Sequence, residues 1–366
     1  MRILDLISAF PDLYKAGDAV HLIGPPGIGK TDVLRNEVRA RLSGMYNSEF
    51  GYHEVQVPTI DAPDVRGFLV PTQVARPDGT KYPSAFYTRS ALIPSEEYLK
   101  QHPRGIMVLD ERNAGDMLTL KALAPAVLWK QFGEHKLPDG WIVVSTSNRI
   151  SDRAGVSKPP THLVNRERVV QMIADCDSWA VWAEDKGLHP MGIAFAKKFV
   201  GSVFTDAVPA GDGPFPTPRS FVAALKYLAL RAGVDKDGNP NMALPDDPLA
   251  QEVVAGSVGD GTASQMFAFF KLHTELPDVE DIIKDPAGAK CPTRLDAAYA
   301  AMQMCIHYAQ AKNADAIWQY VERLPKELQV SAAHSLIGKL KGSLLNTKRL
   351  SQWVASNSAL IRNVMD

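Results

Sequence analysis

The segment that most constrains the fold of this chain lies near its N-terminus and reads Gly24-Pro25-Pro26-Gly27-Ile28-Gly29-Lys30-Thr31. It matches the P-loop pattern G-x-x-x-x-G-K-[ST], which requires a strand before the loop and a helix after it. Both are predicted, because Val20–Ile23 is an apolar run and Thr31–Leu42 has apolar residues near helical spacing. The alternative is an ordinary Gly/Pro turn before a helix, and chance gives such a match in roughly one chain of this length in a hundred. The segment therefore predicts phosphate binding in an α/β fold.

The residue types of this loop fit the chemistry of a nucleoside triphosphate. Glycines allow backbone N–H groups to turn toward phosphate oxygens, and the helix N-terminus adds further donors and the positive end of a dipole. Lys30 is expected to reach the β- and γ-phosphates, and the hydroxyl of Thr31 is expected to ligate Mg²⁺. The residues from Gly24 to Thr31 are thus the predicted nucleotide-binding site.

Further strands are predicted at four short, mainly apolar runs, Glu54–Val57, Ile106–Leu109, Ile142–Val144 and Val169–Ile173. Because helical patterns such as Asp116–Trp129 alternate with them, we expect a parallel sheet with helices on both faces. Beyond the Pro- and Gly-rich connector Thr205–Arg219, the convincing segments are all helical. The predicted domains are an α/β nucleotide-binding domain at 1–205, a small all-α domain at 206–290 and a helical C-terminal extension at 291–366.

Two acidic residues, Asp110 and Glu111, follow the buried strand predicted at Ile106–Leu109. Ligands of parallel α/β proteins bind at the carboxyl ends of strands, so these carboxylates are expected beside the loop. Asp110 would hold the Mg²⁺ shell, and Glu111 could act as general base on the attacking water. Considered without the P-loop, Asp110 and Glu111 could instead form an ordinary acidic turn at the end of a strand.

A third polar strand end is predicted at Asn148, after the apolar residues Val143 and Val144. An amide at this position could orient the attacking water beside the γ-phosphate. A strand-ending asparagine turn is the alternative when this segment is considered without the other two.

Taken in order, these three segments resemble the AAA+ ATPases, and among them the MoxR-like branch. The resemblance extends from about residue 18 to 285 and places Asn148 at the position called sensor 1. Two further stretches are similar to that branch, a hairpin at Gly133–Trp141 before the sensor-1 strand and a hairpin around Pro77–Thr80 after Asp64–Gly67. The resemblance implies ATP and Mg²⁺ as ligands, ATP hydrolysis as the activity, and a lid role for the domain at 206–290.

Two arginines are added by the resemblance alone. Arg166 matches the arginine finger that reaches a neighbouring subunit's nucleotide, although Glu167 replaces the family's aromatic residue and Arg168 is an alternative finger. Arg219 matches the sensor-2 position at the start of the lid, where a cation can touch the γ-phosphate. Alternatively, Arg166 is a solvated arginine that pairs with Glu167. Arg219 could likewise be an ordinary arginine at the start of a helix.

Composition excludes several classes of protein. The 366 residues include 40 Lys+Arg and 41 Asp+Glu, and the resulting formal charge of -1 disfavours a protein that coats nucleic acid or anionic membranes. Three cysteines cannot form a fully paired disulfide framework, so reduced thiols in the cytoplasm are expected. Since no 18 apolar residues are contiguous, no membrane span is expected.

The leading hypothesis is a Mg²⁺-dependent AAA+ ATPase that remodels a protein partner. The resemblance implies a ring, expected to be a hexamer, and a separate client or adaptor chain such as a von Willebrand factor A domain protein. Two alternatives stay open: a DNA-directed AAA+ motor or loader, and a nucleotide-gated binding module with little turnover. The presence of both Asp110 and Glu111 counts against the binding module.

Overall fold

The computed structural model describes residues 1–152, 167–205, 208–209, 211, 213–235, 238–340 and 347–357. Contacts divide the chain into two compact units. The first comprises Met1–Ala174 with Asp206–Val208, and the second comprises Asp175–Thr205 and Pro209–Asp366. The first unit carries every strand of the described residues, and the second is helical.

A five-stranded parallel sheet forms the centre of the first unit. Its strands are β1 (Ala19–Ile23), β2 (Gly51–Gln56), β5 (Gly105–Asp110), β8 (Trp141–Ser147) and β9 (Glu167–Gln171). The order across the sheet is β2-β5-β8-β1-β9, so the P-loop strand β1 lies between β8 and β9. The predicted strands are therefore present, and the last begins two residues earlier than expected, at Glu167.

Helices cover both faces of this sheet. The helices of the first unit are α1 (Ile3–Ala16), α2 (Lys30–Val33), which continues through a π-helical turn (Leu34–Val38) into α3 (Arg39–Tyr46), α4 (Ala62–Arg66), α5 (Glu96–Gln101) and α6 (Met117–Trp129). Side chains alternate along each strand, so Val20 and Val144 pack with α1 to α3, whereas Met107 and Val143 pack with α6. Three of the five strands, β1, β5 and β8, place buried residues on both faces, which explains their nearly continuous apolar runs.

Two small hairpins project from the connections of the first unit. The longer pairs β3 (Leu69–Ala75) with β4 (Lys81–Tyr87) around a turn in which Asp78 Oδ1 accepts the backbone N–H of Thr80. The shorter pairs β6 (Gln131–Phe132) with β7 (His135–Lys136) just before β8. The longer hairpin lies where a hairpin is predicted, and the shorter one, predicted at Gly133–Trp141, lies instead at residues 131–136.

Trp141 closes the end of the sheet opposite the P-loop. Its side chain is fully buried, and its Nε1 donates to the carbonyl of His102 at 3.0 Å. A Cβ added at Gly51 in β2 or at Gly105 in β5 would lie 2.6 Å from the indole, so neither strand could carry a larger residue there. Packing at this end thus leaves the opposite, carboxyl edge of the strands for polar chemistry.

The second unit is built from helices. They are α7 (Cys176–Asp185), α8 (Pro190–Lys198), α9 (Pro218–Ala232), α10 (Pro248–Val258), α11 (Asp260–Phe270), α12 (Val279–Lys284), α13 (Leu295–Tyr308), α14 (Ala314–Val321), α15 (Lys326–Leu340) and α16 (Arg349–Ser356). One apolar cluster of this unit is centred on Trp318 and Tyr320, both fully buried. Among the helices that the structure describes, none has both the length and the apolar character needed to cross a bilayer. The predicted α/β class is confirmed: a parallel sheet that carries the P-loop, with helices on both faces, is followed by helices alone.

Candidate functional site

The P-loop connects the end of β1 to the start of α2 and is fixed to the sheet at its first residue. The N–H of Gly24 donates to Ser147 O of the adjacent strand at 3.2 Å. A side chain at Gly24 would lie 2.8 Å from Met172 Cβ, so only glycine fits this close approach. Gly29 precedes the helix with φ +93°, a backbone conformation that favours glycine. These requirements explain two glycines of the motif in terms of the loop itself.

Lys30, the first residue of α2, is directed into the loop. Its side chain is buried, and Nζ donates to the carbonyls of Gly24 and Pro25, both at 2.9 Å, and to Asn148 Oδ1 at 3.1 Å. The ammonium therefore lies between the P-loop and the end of β8. A buried cation beside the start of a helical segment provides a strongly favourable position for phosphate oxygens.

Asp110 and Thr31 place two oxygen ligands side by side. Thr31 Oγ1 donates to Asp110 Oδ1 at 2.6 Å, Thr146 Oγ1 donates to the same oxygen, and Gln56 Nε2 donates to Oδ2 at 3.0 Å. Burial acts to raise the pKa of Asp110, but the three hydrogen bonds and the charge of Lys30 outweigh it and lower that pKa below its usual value. The carboxylate is therefore charged at neutral pH.

These two oxygens fit Mg²⁺. In nucleotide sites the ion is held by one or two protein oxygens and completes its octahedron with phosphate oxygens and water. Thr31 Oγ1 and Asp110 Oδ1 come from the start of α2 and the end of β5, and both are partly exposed. The donor set present in this site is thus of the kind that Mg²⁺ prefers.

Glu111 follows Asp110 in a left-handed backbone conformation, with φ 51° and ψ 38°. Its side chain is exposed, and its N–H donates to Thr146 Oγ1 at 3.2 Å. A left-handed non-glycine residue is uncommon and is characteristic of functional turns. The turn directs the carboxylate of Glu111 away from the buried strand and into solvent at the carboxyl edge of the sheet.

Asn148 is held by a second asparagine that lies just after Glu111. Asn113 Nδ2 donates to the carbonyl of Asn148 at 2.7 Å, while Asn113 Oδ1 is buried and has no hydrogen-bond partner among the residues that the structure describes. The backbone at the end of β8 is thereby joined to the turn after β5. Asn148 and Glu111 consequently belong to one connected edge of the site.

The sequence predicts roles for Arg166, Arg219 and, as an alternative finger, Arg168. Arg166 lies outside the described residues. Arg168 is half-exposed and pairs with Asp18 at 2.6 Å on the surface of the first unit. Arg219 is exposed at the second residue of α9, in the second unit. Their roles stay predictions.

Sequence reasoning missed three residues of the site, namely Gln56, Thr146 and Asn113. Gln56 and Thr146 both bond Asp110, and Asn113 bonds Asn148. The polar ending of β2 at Gln56 is a pattern of the same kind as the one that predicts Asn148, and it could have identified Gln56. Thr146 is not distinguishable by pattern, because it stands between two other hydroxyl residues in β8.

The fold and the loop together define a parallel α/β protein with a P-loop motif. Solved structures to which the chain is similar include two mutant forms of RuvB of Thermotoga maritima. The first shares 16% sequence identity at a TM-score of 0.37, with 81% of this chain and 80% of that chain covered. The second shares 15% identity at a TM-score of 0.35, with 82% and 80% covered. No protein-family model and no curated protein matches the chain.

Proposed function

We propose that this protein is a Mg²⁺-dependent AAA+ ATPase that hydrolyses ATP at the carboxyl edge of its sheet. One observation carries the proposal: Lys30 bonds Asn148 at 3.1 Å, and Thr31, next in sequence, bonds Asp110 at 2.6 Å. Four residues predicted from three separate segments therefore meet in one site. Cation, hydroxyl, carboxylate and amide are the groups that phosphoryl transfer to water requires.

Each residue has a distinct part in the proposed reaction. Bound MgATP supplies the electrophilic γ-phosphorus and a cation that neutralises phosphate charge. Lys30 exchanges its bonds to loop carbonyls for phosphate oxygens, and Thr31 and Asp110 hold the metal. Glu111 accepts a proton from a water molecule that Asn148 orients, and the water oxygen bonds to the γ-phosphorus. The bond from that phosphorus to the β-phosphate oxygen breaks, which leaves ADP and inorganic phosphate.

The geometry supports turnover over binding alone. A nucleotide-gated binding module needs the loop and the metal ligands but no general base. Glu111 is exposed at this edge on a left-handed turn, which costs of order 1–3 kcal/mol and persists when the surroundings fix it. The cost of this left-handed conformation is explained if the carboxylate of Glu111 acts in the reaction.

Removal of Mg²⁺ tests the metal role. We expect phosphate release from ATP to stop in EDTA and to resume with excess Mg²⁺. A Thr31→Ala variant should need about tenfold more Mg²⁺ for half-maximal activity, because one metal ligand is lost. Thr274→Ala, which removes an exposed hydroxyl from the second unit, is the matched control and should titrate like the wild type. Metal-independent hydrolysis would contradict the assignment of Thr31 and Asp110.

We further propose that the protein is MoxR-like and works as a ring, a hexamer, on a protein client or adaptor that is a separate chain. The hairpins β3–β4 and β6–β7 support this, because the first occupies the position at which the resemblance expects it and the second precedes the sensor-1 strand β8. The longer hairpin also exposes Leu69 and Phe86, apolar side chains suited to protein contact. A von Willebrand factor A domain protein is the kind of partner that we propose.

Mixed subunits test the ring and the finger together. We expect Arg166→Ala and Lys30→Ala to be inactive alone and to regain part of the activity when they are mixed. In the mixture some interfaces pair an intact loop with an intact arginine from the neighbour. Phosphate release is measured across mixing ratios after mixed assembly has been verified by sedimentation. No recovery in verified mixed assemblies would contradict a finger that acts between subunits.

A further inference from the structure

A buried polar network lies beneath the site, on the same face of the sheet as Ala19 and Val143. It consists of five side chains, each no more than 9% exposed: His21, Arg112, Ser145, Ser147 and Glu167. They come from the adjacent strands β8, β1 and β9 and from the turn after β5. Polar groups this deep in a sheet are costly unless each is hydrogen-bonded.

The centre of the network is a bidentate ion pair. Arg112 Nη1 and Nη2 donate to Glu167 Oε2 and Oε1, both at 2.7 Å. Nη1 also donates to Ser145 Oγ at 3.0 Å, and Nη2 to His21 Nδ1 at 2.9 Å. Since Nδ1 accepts that bond, His21 is neutral and donates from Nε2 to Ser147 Oγ at 2.7 Å. Burial acts to raise the pKa of Glu167, but the two hydrogen bonds and the charge of Arg112 prevail and hold that pKa at about 2.

Stability alone does not account for this pair. Replacing a buried ion pair with apolar residues of similar size is often neutral or stabilising, because two charges need not then be dehydrated. The pair also connects distant parts of the sheet. It joins the turn after β5 to the first residue of β9, across the two intervening strands β8 and β1.

The position of Arg112 in the chain suggests what the connection does. Arg112 directly follows Glu111 and begins the 3₁₀ turn Arg112–Ala114. The left-handed Glu111 is therefore fixed from both sides, by the bonds of Asp110 before it and by the ion pair to Glu167 after it. A strained residue keeps its conformation only where its neighbours are held in this way.

We propose that Arg112 is a positioning residue whose ion pair with Glu167 fixes the turn at Glu111 and so orients that carboxylate for hydrolysis. The proposal rests on the proposed ATPase function. Among the residues that the structure describes, neither Arg112 nor Glu167 bonds the P-loop, so the pair sets kcat and leaves the affinity for ATP unchanged. A residue that only stabilised the fold would instead change activity in proportion to the fraction of folded protein.

Two variants separate these roles. Arg112→Lys keeps the charge but not the two parallel bonds, and it should lower kcat about 10-fold. The double variant with Arg112→Met and Glu167→Met removes both charges, avoids an unpaired buried ion, and should lower kcat about 100-fold. In both, the Kd for ATP, measured by calorimetry in EDTA so that no hydrolysis occurs, should stay within about threefold of the wild type. The loss of kcat should be smaller in Arg112→Lys than in the double variant, because lysine retains the positive charge beside Glu167.

Leu42→Ala is the control for lost stability, because it opens a cavity in the fully buried core of the same unit. Its kcat per folded molecule should equal that of the wild type. A folded double variant with the kcat of Leu42→Ala would overturn the positioning role, as would parallel losses of kcat and ATP affinity. A wild-type chain that binds no ATP would overturn the ATPase function and this role together, so the two failures are distinguishable.

Discussion

Lys30→Ala should lose ATP binding and lower phosphate release about 100-fold or more, because the variant removes the cation that the P-loop directs toward phosphate. Lys30 Nζ bonds two loop carbonyls and Asn148, so its position is fixed before any ligand arrives. Binding is measured by calorimetry, and turnover by release of inorganic phosphate.

Lys15→Ala is the matched control for this prediction. Lys15 is an exposed lysine of the same unit that pairs only loosely with Asp12, at 3.7 Å. It should bind and hydrolyse ATP like the wild type. Normal hydrolysis by a folded Lys30→Ala variant would show that the loop is not the nucleotide site.

Glu111→Gln should bind ATP normally but hydrolyse it about 10²- to 10⁴-fold more slowly, because the amide cannot accept the proton of the attacking water. Glutamine has the same length and adopts the left-handed conformation at similar cost, so the turn should be retained. Single-turnover kinetics with bound ATP separate the chemical step from binding.

Glu49→Gln removes an exposed carboxylate that pairs with Arg39 and serves as the control. It should leave turnover unchanged. Unchanged steady-state hydrolysis in Glu111→Gln would exclude Glu111 as the base. If Glu111→Gln holds ATP without hydrolysing it, affinity capture with the ATP-bound variant identifies the client or adaptor that the ring binds.

The sequence was sufficient to predict the parallel sheet and the principal site residues, because apolar runs and the P-loop spacing are local properties. The order of the strands is not local, since β8 and β1 are neighbours although more than a hundred residues separate them. The contacts of Thr146 with Asp110 and of Asn113 with Asn148 follow from that order. They could not be derived from any pattern along the chain.

The start of β9 and the first helix show two further limits of local patterns. Glu167 opens β9 although a carboxylate rarely enters a sheet core, because Arg112, 55 residues away in sequence, neutralises it there. In α1 the internal Pro11 argues against a helix, yet the helix continues because Leu6 and Phe10 are completely buried against the sheet. In both cases tertiary contacts decide the outcome.

The central claim is that one chain binds ATP at the P-loop and hydrolyses it with Glu111. The most direct test is a single-turnover experiment with γ-labelled ATP, Mg²⁺ and excess protein, run in parallel on the wild type, Glu111→Gln and Lys30→Ala. The wild type should release labelled phosphate, Glu111→Gln should retain intact ATP, and Lys30→Ala should neither bind nor release label. A folded wild type that binds no ATP, or that holds it intact as long as Glu111→Gln does, would contradict the claim.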